Sequence, residues 1–169
     1  TQTKTRAGEQ KVVDRLNHLI ALSADLRSQV KQAHWTVVGP NFIALHKLFD
    51  DLAATVLAHV DLYAERVRAL QAIPKGTARG AAEESPLPEL PIEEIPEVEA
   101  IHLLLERYQL YSEALQSGMD EAEEAEDLAT QDIYVEAQRE VDLHSYFLRS
   151  HLPDGGRSDD GRSQNGRSK

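Results

Sequence analysis

The chain has 169 residues, no cysteine, 41% hydrophobic content and a formal charge of −11. Its length allows one buried core and favours a single domain, and without cysteine any metal must be held by imidazole and carboxylate, with no disulfide staples. The charge argues against a folded body that attracts phosphates and favours solubility or the gathering of cations.

No apolar run approaches the ~20 residues that cross a bilayer. The polar start from Thr1 to Lys11 lacks a signal peptide's apolar stretch. The expectation is therefore a cytoplasmic protein with no membrane partner. Charge is unevenly placed: Asp120, Glu121, Glu123, Glu124, Glu126 and Asp127 form a dense acidic segment, whereas Lys4, Arg6, Lys11 and Arg157, Arg162, Arg167, Lys169 lie towards the two ends.

Residues 1–8 read as a flexible N-terminal tail. Val12, Leu16, Leu19, Ile20, Leu26, Val30 and Ala33 then recur at helical spacing and predict a first helix over about 9–37. Gly39-Pro40-Asn41 breaks it. A second helix over about 41–72 carries Leu45, Leu48, Leu52, Val56, Val60, Tyr63, Val67 and Leu70 as its core stripe. The short turn makes these two helices an antiparallel hairpin, so residues equidistant from Pro40 lie side by side, and His34 and His46 are such a pair.

Between residues 74 and 96 the chain holds five of its seven prolines with Gly76 and Gly80, which reads as a long crossover with a short helical piece near Ile92–Ile95. A third helix follows over about 97–126 (Val98, Ile101, Leu105, Tyr108, Ala114, Leu115). A fourth runs over about 130–152 (Ile133, Ala137, Val141, Leu148), with Pro153 at its end. Two hairpins joined by one crossover between the second and third helices make an all-α, ferritin-like four-helix bundle over 9–152. Residues 153–169, where Gly-Arg-Ser recurs, read as a disordered tail.

Ligand-type residues sit on the second helix in an unusual pattern. His46 and Asp50 are one turn apart, as are Asp61 and Glu65, and all four fall within about 100° of arc around the axis. Yet His46 and Glu65 are about 28 Å apart along the helix, too far for one ion. The pairs 46/65 and 50/61 share a midpoint near residue 55. A second copy of the helix, antiparallel across a two-fold axis there, brings the two ends together, with Ala53, Ala54 and Ala58 as small residues at the dyad. The spacing points to a site shared between subunits, and His34 lies beside it through the hairpin register.

The run from Lys31 through His34, Trp35, Gly39, Pro40, Asn41 and Phe42 to His46, continuing through Asp50 to Asp61, Glu65 and Arg66, resembles the Dps family, the DNA-binding proteins from starved cells. The likeness spans about 9–152. It implies a hollow homo-dodecamer that oxidises Fe(II), preferably with hydrogen peroxide, and stores ferric mineral, protecting DNA from oxidative damage. The ferroxidase ligands it implies are His34, His46 and Asp50 of one subunit and Asp61 and Glu65 of its two-fold mate. Imidazole with carboxylate also suits zinc or manganese, so the donor set alone does not choose iron.

Three further expectations follow. Trp35 is by type a core filler, but beside His34 it is a candidate for taking oxidising radicals in place of DNA. Glu123, Asp127 and Asp132 are candidates for a cation-guiding pore on a three-fold axis. DNA contact and nucleoid association would run through the terminal cations Lys4, Arg6, Lys11, Arg157, Arg162, Arg167 and Lys169, although residues 153–169 hold four basic and three acidic groups, a net of +1, and a solubilising tail accounts for them equally well. Glu99 and His102 form a single Glu-x-x-His; an intrachain di-iron centre needs two. His18, His59, His144 and His151 have no partner set in sequence. The rival readings are a nucleoid-binding structural protein with little ferroxidase activity and a metal-dependent hydrolase on the same scaffold.

Overall fold

The computed structural model describes the backbone of residues 2–157 and the side chains of residues 7–157. In chain order its helices are α1 (Gln2–Thr36), α2 (Phe42–Ala69), the short α3 (Ala78–Glu84), α4 (Glu97–Glu124) and α5 (Leu128–Ser150), followed by a 3-10 turn at Pro153–Gly156. Two-residue strands β1 (Val37–Val38) and β2 (Ile95–Pro96) pair in parallel, Val37 opposite Ile95. The four long helices form the expected pair of hairpins, α1 with α2 and α4 with α5.

The periodic apolar residues of α1 all face inward: Leu16, Leu19, Ile20, Leu26, Val30 and Ala33 are fully buried. Burying each of the large ones is worth about 1.5–3 kcal/mol. On α2 the buried line is Leu45, Phe49, Leu52, Val56, His59, Tyr63 and Val67, with Leu48, Val60 and Leu70 at its margins. Val98, expected in the core, is 42% exposed because it lies on the outer face of α4, about 120° round the helix from the buried face of Ala100, Ile101 and Leu104.

The boundaries differ from expectation at two places. α1 starts at Gln2 rather than near residue 9, so residues 2–8 continue the helix instead of forming a tail. Near this start Gly8 packs on Ala125, and Lys11 pairs with Glu124 at 3.0 Å. In the crossover the short helix forms at Ala78–Glu84, where the Thr77 side chain caps it by accepting from Gly80 N–H, and not near Ile92. Ile95 precedes a proline, which disfavours helical backbone, and it enters β2 instead. Residues 158–169, most of the expected C-terminal tail, lie outside the described residues.

Two polar clamps tie the connecting segments to the helices. Gly39 has φ 150°, a conformation L side chains rarely adopt. A Cβ there would sit 2.5 Å from Glu97 Oε2. That space is needed because the Glu97 carboxylate accepts from Asn41 N–H at 2.9 Å and Asn41 Nδ2 at 3.0 Å, tying the α1–α2 turn to the start of α4.

The second clamp is Arg107, 1% exposed. Its guanidinium donates to Gln29 Oε1 (2.5 Å) and to the carbonyls of Leu103 (2.9 Å), Pro88 (3.0 Å) and Glu89 (3.1 Å), fastening the crossover to α1 and α4. Removing these donors strands buried acceptors, so Arg107→Ala is expected to lose about 3 kcal/mol in chemical denaturation. Limited proteolysis should then cut within residues 85–90 faster than in the native protein.

Candidate metal centre

The hairpin register places His34, in the last turn of α1, against His46, in the first turns of α2. Each imidazole points its Nδ1 at the other's backbone carbonyl, at 2.5 Å for His34 to His46 O and 2.8 Å for His46 to His34 O. A carbonyl only accepts, so Nδ1 carries the proton in both rings. The two rings stack with centroids 3.7 Å apart and planes 18° from parallel. In the neutral rings both Nε2 atoms then keep their lone pairs, the tautomer a metal ligand needs, and backbone carbonyls set the ring orientation. The last carbonyls of α1 have no helical partner, which is why His34 O is available.

Asp50, one turn beyond His46, is exposed and bonded to Lys31 Nζ at 2.6 Å. Lys31's hydrogen bond holds the Asp50 carboxyl below its usual range. The same ammonium stands 5.5 Å from the centroid of Trp35. Trp35 is 65% exposed, so it is no core filler.

Farther along α2, Asp61 and Glu65 are exposed, and among the described residues neither has an ion-pair or hydrogen-bond partner. With Asp50, Ala54, Leu57 and Ala58 they line one outward stripe, on which Leu57 is 50% exposed. Ala53 is the exception to the expected dyad face: it is 3% exposed and packs into its own bundle, one position round the helix from the stripe. Within one chain, no three imidazole or carboxylate groups among the described residues gather closely enough to hold an ion.

The acidic segment is less free than its sequence suggests. Arg15 grips Glu121 through two bonds of 2.9 and 2.8 Å and thereby lowers the glutamate's pKa. Asp127, a pore candidate in the sequence, is the N-cap of α5. It accepts from Thr130 N–H (3.0 Å), the Thr130 hydroxyl (2.5 Å) and Arg66 (2.8 Å). Burial pushes its pKa up, and the bonds from Thr130 and Arg66 more than offset that, leaving it lowered. Glu123 and Asp132 remain exposed. Glu99 and His102 are exposed on α4. Of the terminal cations, Lys11 is tied to Glu124 and Arg157 is exposed. The side chains of Lys4 and Arg6, and the whole of Arg162, Arg167 and Lys169, lie outside the described residues.

Residues 13–157 match the family model of the ferritin-like domain. The chain is 33% identical over 141 residues to the DNA protection during starvation protein of Agrobacterium fabrum, covering 83% of this chain and 87% of that one. It is 31% identical to DNA protection during starvation protein 2 of Bacillus anthracis, over 85% of this chain and 97% of the relative. The crystal structure of a Dps protein from Bacillus brevis superposes with a TM-score of 0.83 at 28% identity, covering 87% of this chain and 98% of that one. The chain belongs to the Dps family of ferritin-like proteins.

This Dps-family bundle also holds a buried polar cluster that the sequence reading left without partners. His59 lies on the core stripe of α2, three positions after Val56 and four before Tyr63, and that spacing was the signal available for its burial. Its Nδ1 meets the Tyr111 hydroxyl at 2.9 Å, its Nε2 contacts the Glu140 carboxylate, and the Tyr63 and Tyr111 hydroxyls are 2.6 Å apart. His144, 6% exposed, shares a 3.1 Å bond with the Tyr108 hydroxyl.

Burial, with His59 nearby, pushes the His144 pKa down from 6.5 to about 4. The unfolded chain therefore takes up this proton first as pH falls, and stability is lost between about 6.5 and about 4. His144→Gln, which cannot titrate there, is expected to flatten the fall of the thermal midpoint across that window relative to the native protein.

Proposed function

We propose that this Dps-family chain is the subunit of a hollow dodecameric mini-ferritin that oxidises Fe(II), preferably with hydrogen peroxide, at sites shared between two-fold related subunits. The ferric product is stored as mineral, and DNA is protected from the radicals that free Fe(II) and peroxide generate. One observation carries the reading: two imidazoles with free Nε2 lone pairs stand beside Asp50 at one end of an exposed α2 stripe, while Asp61 and Glu65 stand unpaired at the other. Antiparallel pairing of two such stripes across Ala54 and Ala58 supplies His34, His46 and Asp50 from one subunit and Asp61 and Glu65 from the next. The relatives named for DNA protection during starvation support the same reading.

The donor set suits the substrate. Neutral imidazoles and hard carboxylate oxygens accept Fe(II), and three carboxylates favour the more highly charged Fe(III) that forms. Two Fe(II) each give one electron to one peroxide, and two protons complete two waters, so no radical is released. Until iron enters, the Lys31 ammonium holds Asp50, and the incoming cation displaces it. Glu123 and Asp132, tripled by three-fold symmetry, guide cations towards the interior; Asp127 is spent on its cap and on Arg66. Protection in this reading rests on removing Fe(II) and peroxide more than on grasping DNA, since Lys11 is paired with Glu124.

A shared site makes a prediction that an intrachain site does not. His46→Ala and Glu65→Ala assemblies should each oxidise Fe(II) at least about tenfold more slowly than the native protein, followed by ferric absorbance after anaerobic mixing with peroxide. When the two variants are unfolded and reassembled together, half of the two-fold interfaces pair unlike subunits. Each such interface keeps one intact site, so about a quarter of native activity returns. No recovery on mixing would overturn the shared site.

A further inference from the structure

We propose that Tyr111 is a proton-coupled redox site inside each bundle, a phenol that gives one electron to an oxidising radical while its proton leaves through His59 to Glu140. This goes beyond the ferroxidase reading and uses none of the residues assigned to it.

With Glu140 ionised and His59 neutral, the bonds run one way: the Glu140 carboxylate accepts from His59 Nε2, which leaves Nδ1 to accept from the Tyr111 hydroxyl and the Tyr111 oxygen to accept from the Tyr63 hydroxyl. Tyr63, Tyr111 and His59 are buried, whereas the Glu140 side chain is 42% exposed, so the chain of bonds opens to solvent at its carboxylate end. Loss of an electron makes a phenol strongly acidic, and a base already bonded to it takes the proton without rearrangement.

In the step, the O–H bond of Tyr111 breaks, its electron passes to the oxidant and its proton to His59 Nδ1. The His59 Nε2 proton moves to Glu140, which exchanges it with water. A neutral tyrosyl radical remains, still bonded to the Tyr63 hydroxyl.

The other buried tyrosines lack this outlet. Among the described residues Tyr134 has no hydrogen-bond partner for its buried hydroxyl, and Tyr108's partner His144 has no carboxylate bonded to it. Phenylalanine fills the same volume without a hydroxyl to satisfy, so packing alone does not call for this arrangement.

The test uses the full-length assembly free of iron, which separates it from the ferroxidase. Flash-generated tris(bipyridine)ruthenium(III), an outer-sphere one-electron oxidant, is applied, and the radical is read by freeze-quench electron paramagnetic resonance. The native protein should give a neutral tyrosyl signal that forms more slowly in D2O than in water. Tyr111→Phe should remove most of it, and Tyr146→Phe, at an exposed position, should leave it intact. Glu140→Gln should slow its formation about tenfold. A native yield in Tyr111→Phe overturns the proposal. Should that variant fail to assemble, an unchanged rate in both Glu140→Gln and D2O overturns it equally.

Discussion

The register of the α1–α2 hairpin is the constraint on which the rest depends. A link of five residues, Val37 to Asn41, leaves little slack, and Glu97 pins it by bonding both the backbone and the side chain of Asn41. With that register His34 and His46 exchange bonds between ring and carbonyl, each orienting the other. A slip of one residue would turn either ring by about 100° around its helix and break both bonds. The free Nε2 atoms, and with them the proposed coordination of iron, follow from a backbone turn.

Carboxylates divide into two populations. Half of those in the acidic segment are consumed in structure: Arg15, Lys11 and Arg66 reach across from α1 and α2 to Glu121, Glu124 and Asp127. Those on the outer stripe of α2 are held by one lysine or by nothing. Uncompensated negative charge costs stability through repulsion. Its retention beside two oriented imidazoles is what the proposed site makes use of.

The apolar interior carries an unusual polar load as well. Only 5% of residues are aromatic, yet four of the five tyrosines are fully buried, three of them hydrogen-bonded to imidazole or to one another. Helices α2, α4 and α5 are thus joined by directional bonds as well as by packing, and such networks specify a single arrangement more sharply than apolar contact does.

Much of this was legible in the residues. The four long helices and the crossover followed from period 3.6 and from proline, and the adjacency of His34 and His46 from their equal distance to Pro40. The separation of His46 from Glu65, about 28 Å at helical rise, showed that no single ion reaches both ends of the stripe. These features are local or nearly so, fixed by rise per residue and turn length.

What only the tertiary structure decided involves partners far apart in the chain. The helical start at Gln2, the cap and ion pair that occupy Asp127, the inward turn of Ala53 and the contact of His59 with Tyr111 and Glu140 are examples. A sequence shows which residues can share a helix face. Which face meets which, and hence which charge or hydroxyl finds a partner, is settled by packing between helices, where separation along the chain carries no information.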